Sequence, residues 1–499
     1  MLSTTKFNDE INLLKQTVEQ KDQRIKQLEE LLRLQRQKQF GASSEKDANQ
    51  GQLFNEPEDL CDDAEQDEPE ITVPAHTRKK KRRVSIPADL PREDVVHDLT
   101  DAEKVCPHDG TELKYIGDET SEQLDIEPAK IKVLRHLRKK YACPCCEQHL
   151  ITAKKPAQPI EKSIASPGLL AYITVSKYCD ALPLYRQVNI FKRIGVDMDR
   201  TTLANWMIKV GDLVQPLINR LQEICTEQSV LHMDETPLQV LNEPGKTAQS
   251  QSYMWLMATS QASVPIVLYH YSASRSGDTP RKLLEEFSGA LMVDGYEGYN
   301  GVCVENQLIR LGCWAHARRK FIDAQRQQPK GKTGKADMAL GLIQKLYAAE
   351  KISKDKTFDE RFKIRQVQSK PVIEKLKQWL EKTLQNTPPK TTLGKALYYL
   401  HNQWPRLVAY LEDGSLPIDN NRAENSIRPF VIGRKNWLFS SSQAGARASA
   451  NLYSLIETAK ANNLEPYAYL KQIYTLLPQA ETLEDIDALL PWNFKGVVV

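Results

Sequence analysis

Residues 229–241, SVLHMDETPLQVL, decide how this chain is read, because here the pattern turns from helical to extended. The run reads as a strand carrying Asp234. SYMWLMATS (252–260) and VPIVLYHYS (264–272) read as two antiparallel neighbours. DTPRKLLEEF (278–287) reads as a helix. GALMVDGYEGYNG (289–301) supplies a short apolar strand with Asp294 at its end. NQLIRLG (306–312) is a further strand, and CWAHARRKFIDAQR (313–326) a helix.

The order is therefore three strands, helix, strand, short helix, strand, helix. That is the order of an RNase H-like α/β fold. In such a fold the first and fourth strands end side by side at the sheet centre, so Asp234 and Asp294 are expected to meet. Residues 333–413 are Lys-rich with Leu and Tyr at helical intervals, and read as a helical insertion. SLPIDNNRAENSIRPFVIGRKNWLFSSS (415–442) follows. Asp419, Asn420 or Asn421 caps a helix there, with Glu424 in its first turns. The helix is expected to break near Pro429, and NWLFSSS to add an edge strand. Residues 445–462 read as an Ala-rich helix, and the tail to Trp492 as helical.

Working outward toward the start, residues 163–228 read as all-helical. Within them, residues 183–207 (PLYRQVNIFKRIGVDMDRTTLANWM) give a helix, a break at Gly195 and a second helix with Leu203, Trp206 and Met207 on one face. This is helix-turn-helix spacing, whose second helix can enter a major groove. Arg200, Thr201, Thr202, Asn205 and Lys209 are its candidate DNA contacts; a plain helical hairpin has the same pattern. Residues 95–155 read as a zinc-ribbon-like unit. Cys143-x-x-Cys146 forms a knuckle, Cys106 a third ligand, and His108 or Asp109 the fourth. IKVLRHLRKKYAC (131–143) reads as strand. Residues 56–70 carry nine acids and no base, and 78–83 are RKKKRR. Without apolar periodicity, 41–94 reads as a disordered acidic-then-basic linker. Residues 7–35 place Ile11, Val18, Ile25 and Leu32 at a, and Phe7, Leu14 and Leu28 at d, a seam that favours a parallel dimer.

The expected class is thus α+β and multidomain. A coiled coil occupies 1–40, the linker 41–94, the zinc-ribbon-like unit 95–155 and the helix-turn-helix-like domain 156–228. An RNase H-like catalytic domain (229–450) carries the insertion 333–413, and a helical tail spans 451–499. There is no run of eighteen apolar residues and no basic-then-apolar leader, so a cytoplasmic location without membrane contact is expected. Nine cysteines then read as thiols or metal ligands rather than disulfides.

Three separated carboxylates suit a metal-assisted displacement at phosphorus. Two Mg²⁺ (or Mn²⁺) ions can hold both the attacking and the leaving oxygen. Hard oxygen ligands suffice for such ions, and Asp234, on the central strand, is the natural bridge. Each acid also has a plainer reading: a strand-end Asp caps a turn, and a helical Glu is a solvated acid.

DETP at Asp234, VDGYEGY at Asp294, CWAHARRKF (313–321) and DNNRAENSIRPFVIGRKNWLFS (419–440) resemble the insertion sequence 66 family of bacterial transposases. QFGASSEK (39–46), SEQLDIEPAKIKVLRHLRKKYACPCC (121–146), KYCDALPLYRQ (177–187) and ETAKANNLEPYAYL (457–470) extend the resemblance over nearly the whole chain. It implies a DDE transposase with Asp234, Asp294 and Glu424 as metal ligands. Terminal inverted repeats and target DNA are the implied substrates, a homo-oligomer the implied assembly, and small accessory proteins of the same element the implied partners. Cys313-x-x-His316 is similar to a signature of several RNase H-like transposases, and reads otherwise as packing at a strand–helix junction. Arg428, Arg434 and Lys435 are candidate phosphate contacts, and Trp437 a candidate base-stacking surface. A nuclease that cleaves without joining, and a repressor that binds repeats without cutting, are the competing functions.

Overall fold

The computed structural model describes residues 130–142, 150–260, 264–328 and 334–494, together with Lys21 and scattered positions between 92 and 123. The coiled-coil segment apart from Lys21, almost all of the linker, and Cys106, Cys143 and Cys146 lie outside the described residues.

Asp67–Ala153 forms one compact unit. In it β1 (Lys140–Ala142) pairs antiparallel with β2 (Leu150–Thr152), Tyr141 opposite Ile151. The Arg138 Nε–H donates to the Ala153 carbonyl at 2.6 Å. Of the strand expected over 131–143, residues 140–142 are β1, while residues 131–139 are neither strand nor helix. Apolar alternation alone does not make a strand where no ladder partner takes up the backbone groups. His108 sits exposed in a turn.

The second compact unit holds the described residues from Lys154 onward. It starts with four helices, α1 (Pro167–Tyr178), α2 (Leu184–Arg193), α3 (Arg200–Leu213) and α4 (Gln215–Thr226). Gly195, at φ +86°, makes the turn between α2 and α3 in a region closed to most side chains. Asp199 caps α3, accepting from the Thr202 N–H at 2.8 Å and its hydroxyl at 3.0 Å. Leu203, Trp206 and Met207 are buried together.

The sheet then forms from β3 (Val230–Asn242), β4 (Gln251–Thr259), β5 (Val267–Ser272), β6 (Ala290–Val293) and β7 (Ile309–Gly312). The spatial order is β5-β4-β3-β6-β7. The first three are antiparallel; β6 joins β3, and β7 joins β6, in parallel. α5 (Asp278–Leu283) precedes β6, α6 (Asn300–Glu305) precedes β7, and α7 (Trp314–Gln325) follows it.

Between the sheet and the last acid come α8 (Lys335–Ser353), α9 (Phe358–Ile364), α10 (Lys370–Gln385) and α11 (Thr392–Val408). Leu342, Leu346, Leu376 and Leu400 from these helices share a core with Trp314 and Phe321 of α7 and with Val230, Ala290, Met292 and Leu311 of the sheet. The insertion thus covers one sheet face. The other face, through Leu231, Met233, Leu291 and Val293, belongs to a second core that also takes in α1, α3 and α4. It also meets α12 (Asn421–Trp437), α13 (Gln443–Ala461) and α14 (Pro466–Leu476). A short α15 (Leu483–Asp487) follows. At Gly211 of α3 a Cβ would lie 2.5 Å from the Ala448 Cβ, so glycine there permits α3 to seat on α13. The early helices and the C-terminal tail therefore share one core with the sheet.

One expectation about α12 is corrected. Pro429 lies inside this 17-residue helix and does not end it. An interior proline costs about 3 kcal/mol. Burial of Ala423, Ile427, Phe430 and Gly433 along the helix offsets that cost.

Candidate active site

The sheet fixes the two aspartates. β3 and β6 pair Val230 with Ala290, Leu231 with Leu291 and His232 with Met292. Continuing that register by two residues aligns Asp234 with Asp294. Side chains alternate across a strand, so both acids fall on the face of Val230, Ala290 and Met292, the face covered by α7 and the insertion. Neighbouring strands lie about 4.8 Å apart, which brings the two carboxyls within reach of common ligands.

The third acid arrives through an opening in the sheet. On the β6 side, β3 pairs only over Val230–His232; farther on, β8 (Ser440–Ser442) pairs with it at Val240 and Asn242. Between these stretches α12 lies along β3 and bonds its free backbone groups. Asn420 Nδ2 donates to the Met233 carbonyl at 2.8 Å. Arg434 Nη1 donates to Thr236 Oγ1 at 2.9 Å and to the Pro237 carbonyl. Pro237, paired with Tyr253 of β4, has no N–H, which suits a position without a strand partner on the β6 side. Asn420 occupies the N-cap position, but its side chain makes no capping bond. Instead its Oδ1 accepts from the buried His232 Nδ1–H at 3.0 Å. Burial lowers the His232 pKa to about 4, so the ring is neutral at ordinary pH. Asp419 accepts from the Asn421 N–H at 3.1 Å and from the Tyr347 hydroxyl at 2.9 Å. Glu424 follows in the first turn of α12, where the helix dipole favours an acid, and is buried.

The three carboxylates influence one another. The Asp234 carboxyl is pushed well above its ordinary range, first by burial, then by the charges of Glu235, Glu424 and Asp294. Each acid has one oxygen committed. Asp234 Oδ1 accepts from the Glu235 N–H at 2.9 Å, Asp294 Oδ1 from the Tyr296 N–H at 2.8 Å, and Glu424 Oε2 from Arg319 at 3.2 Å. Glu424 Oε1 is buried with no hydrogen-bond partner among the described residues. A set of hard oxygens, mutually repelling and with an orphaned member, fits divalent cations.

Several groups around the acids have no counterpart in the sequence reading. Glu235, its side chain 2% exposed, accepts from Arg275 at 2.6 Å and from the Tyr299 hydroxyl at 2.6 Å. The Arg275 guanidinium also stacks on Tyr296, 4.1 Å from the ring centre. Arg310 donates to the Asp294 and Tyr296 carbonyls at 3.0 and 2.8 Å, fixing the loop after β6. Arg319 stands one helical turn after His316, so both face Glu424; the motif spacing held that signal. The sequence marked Asn420 only as a helix cap, and nothing local marked Arg310.

The other sequence candidates are dispersed. Arg200, Thr201, Asn205 and Lys209 are exposed on α3, while Thr202 is half-buried and bonded to Asp199. Lys435 is exposed and Arg428 half-buried. Arg434 is engaged with β3. Trp437 packs edge-on to Phe430 at 5.5 Å and is half-buried.

Comparison with known proteins covers most of the chain. A family model described as "Transposase IS66 family" matches residues 162–448. Models for a "zinc-finger binding domain of transposase IS66", "Transposase C of IS166 homeodomain" and "IS66 C-terminal element" match residues 103–147, 27–95 and 454–492. Among curated proteins, "Uncharacterized protein y4jD" of Sinorhizobium fredii is 34% identical over 425 residues, 82% of this chain and 82% of that protein. "Uncharacterized protein y4qI" of the same organism is 32% identical over 504 residues, 97% of this chain and 92% of that protein.

Proposed function

The chain belongs to the IS66 family of transposases, and from that premise we propose that it cuts and joins DNA at the terminal inverted repeats of its element by a DDE mechanism. The observation that carries the proposal is the convergence of Asp234, Asp294 and Glu424 from two strands and a distant helix, felt in the raised Asp234 carboxyl. The sheet order, antiparallel then parallel with flanking helices, supports an RNase H-like catalytic body.

In this reading Asp234, Asp294 and Glu424 would hold two Mg²⁺ or Mn²⁺ ions. Bound there, the ions would activate the attacking oxygen and stabilise the leaving one. Asn420 and His232 keep Glu424 in register with the aspartates. Arg319 holds Glu424 Oε2 at 3.2 Å and so orients the carboxylate. Arg275, buttressed by Glu235 and Tyr296, stands near Asp294 as a cation for a DNA phosphate. Cys106, Cys143 and Cys146, with His108, hold a structural zinc in the segment matched as a zinc finger. Arg200, Thr201, Asn205 and Lys209 on α3, with Lys435 and Arg428, contribute DNA contacts, and the segment before residue 40 oligomerises the protein.

A strand-transfer assay with terminal-repeat DNA and Mg²⁺ tests the proposal, comparing the wild type with Glu424→Gln. Cleaved and joined ends from the wild type alone are expected. Cleavage without joining would identify a nuclease, and tight binding without chemistry a repressor; either outcome defeats the transposition reading.

A further inference from the structure

Cys313-x-x-His316 finds a third partner in the folded chain. Cys313 is the N-cap of α7, and His316 sits one turn on. Glu424 reaches the same point from the first turn of α12. One ligand atom from each, the Cys313 Sγ, a His316 ring nitrogen and a Glu424 oxygen, lie within 4.8 Å of one another. His316 Nδ1 and Glu424 Oε1 face each other at 3.4 Å. Both atoms are buried, and neither has a hydrogen-bond partner among the described residues. The Glu424 side chain is 5% exposed, so water does not compensate the orphaned oxygen.

Sulfur, imidazole nitrogen and one carboxylate oxygen form a borderline-soft donor set. Three protein ligands with an open fourth position is an arrangement zinc adopts, and a thiolate disfavours Mg²⁺. We propose that Cys313, His316 and Glu424 bind one zinc ion, and that zinc bound there inhibits the enzyme by withdrawing Glu424 from Asp234 and Asp294. Glu424 Oε2 is held by Arg319, which leaves Oε1 as the oxygen for which the two sites compete. The inhibitory half rests on the DDE reading; the binding half does not.

The full-length protein, freed of metal and titrated with Zn²⁺ and separately with Co²⁺, provides the test. The wild type is expected to bind one more ion than Cys313→Ser, and to show a stronger cobalt–thiolate charge-transfer band. The cysteines before residue 147 contribute equally to both proteins and cancel. His316→Gln leaves the buried sulfur in place and is expected to lose the same ion, so a folding defect in Cys313→Ser does not decide the matter. In strand transfer with excess Mg²⁺, half-inhibition of the wild type is expected at a zinc concentration about tenfold or more below that for Cys313→Ser, each relative to its own zinc-free rate. Equal zinc stoichiometry in the three proteins overturns the proposal. A wild type inactive in Mg²⁺ alone instead defeats the DDE reading, and the stoichiometry still decides whether the zinc site exists.

Discussion

Asn420→Ala removes the tie between the third carboxylate and the sheet without touching a carboxylate. The Asn420 side chain makes two buried hydrogen bonds, to His232 at 3.0 Å and to the Met233 carbonyl at 2.8 Å. Truncation leaves both partners buried and unpaired, at about 1–3 kcal/mol each, so a loss of about 2–5 kcal/mol in unfolding free energy is expected. Asn420→Asp separates the two bonds: a carboxylate can still accept from His232 but cannot donate to Met233 O, and would oppose that carbonyl with a charge. Freed of the tie, Glu424 shifts relative to Asp234 and Asp294. A displacement of about 1 Å at a reacting centre costs about 10²-fold in rate, so strand transfer at a temperature where the variant stays folded should fall about a hundredfold. Urea denaturation followed by fluorescence gives the stability, and single-turnover strand transfer gives the rate. Wild-type turnover by a folded Asn420→Ala protein would show that Glu424 needs no such tie, and would refute the reasoning.

Asp234→Asn should abolish strand transfer yet stabilise the metal-free protein near neutral pH. The folded Asp234 carboxyl is raised by burial and by neighbouring acids, so its contribution to stability is present below the ordinary carboxylate range and lost as pH rises through the folded value. The asparagine variant has no such charge to bury. Thermal denaturation without metal checks this, and the gap should narrow when Mg²⁺ is added to the wild type; a less stable Asn variant at pH 7 would contradict it. Gly211→Leu should separate α3 from α13 and lower stability by about 1–3 kcal/mol, read from urea denaturation, because a Cβ alone already meets Ala448 at 2.5 Å. Cys143→Ser should lower the zinc content of the purified protein by one ion; unchanged zinc would exclude Cys143 as a ligand.

Much of this molecule was legible from local pattern. The strands around Asp234 and Asp294, their order and the helices between them follow from apolar runs and turn residues, because hydrophobic periodicity is a local property. Parallel pairing of β3 with β6 then follows from sheet connectivity, and with it the meeting of the two aspartates. Periodicity misled where pairing decides: residues 131–139 have a strand-like pattern but no ladder among the described residues, and Pro429 lies within a helix whose tertiary burial outweighs its local penalty.

Asp234 and Asp294 were thus fixed by the sequence itself, through strand parity and register. Glu424 was not. More than a hundred residues and five α-helices separate it from β7, and no periodicity spans that distance. Its position depends on an open stretch of β3 that another element must cover, and on Asn420, Arg434 and His232 making bonds between segments remote in the chain. Such bonds exist only once the chain has folded. The same long-range contact sets Glu424 beside Cys313 and His316, so this grouping of donor atoms was decided by the tertiary structure.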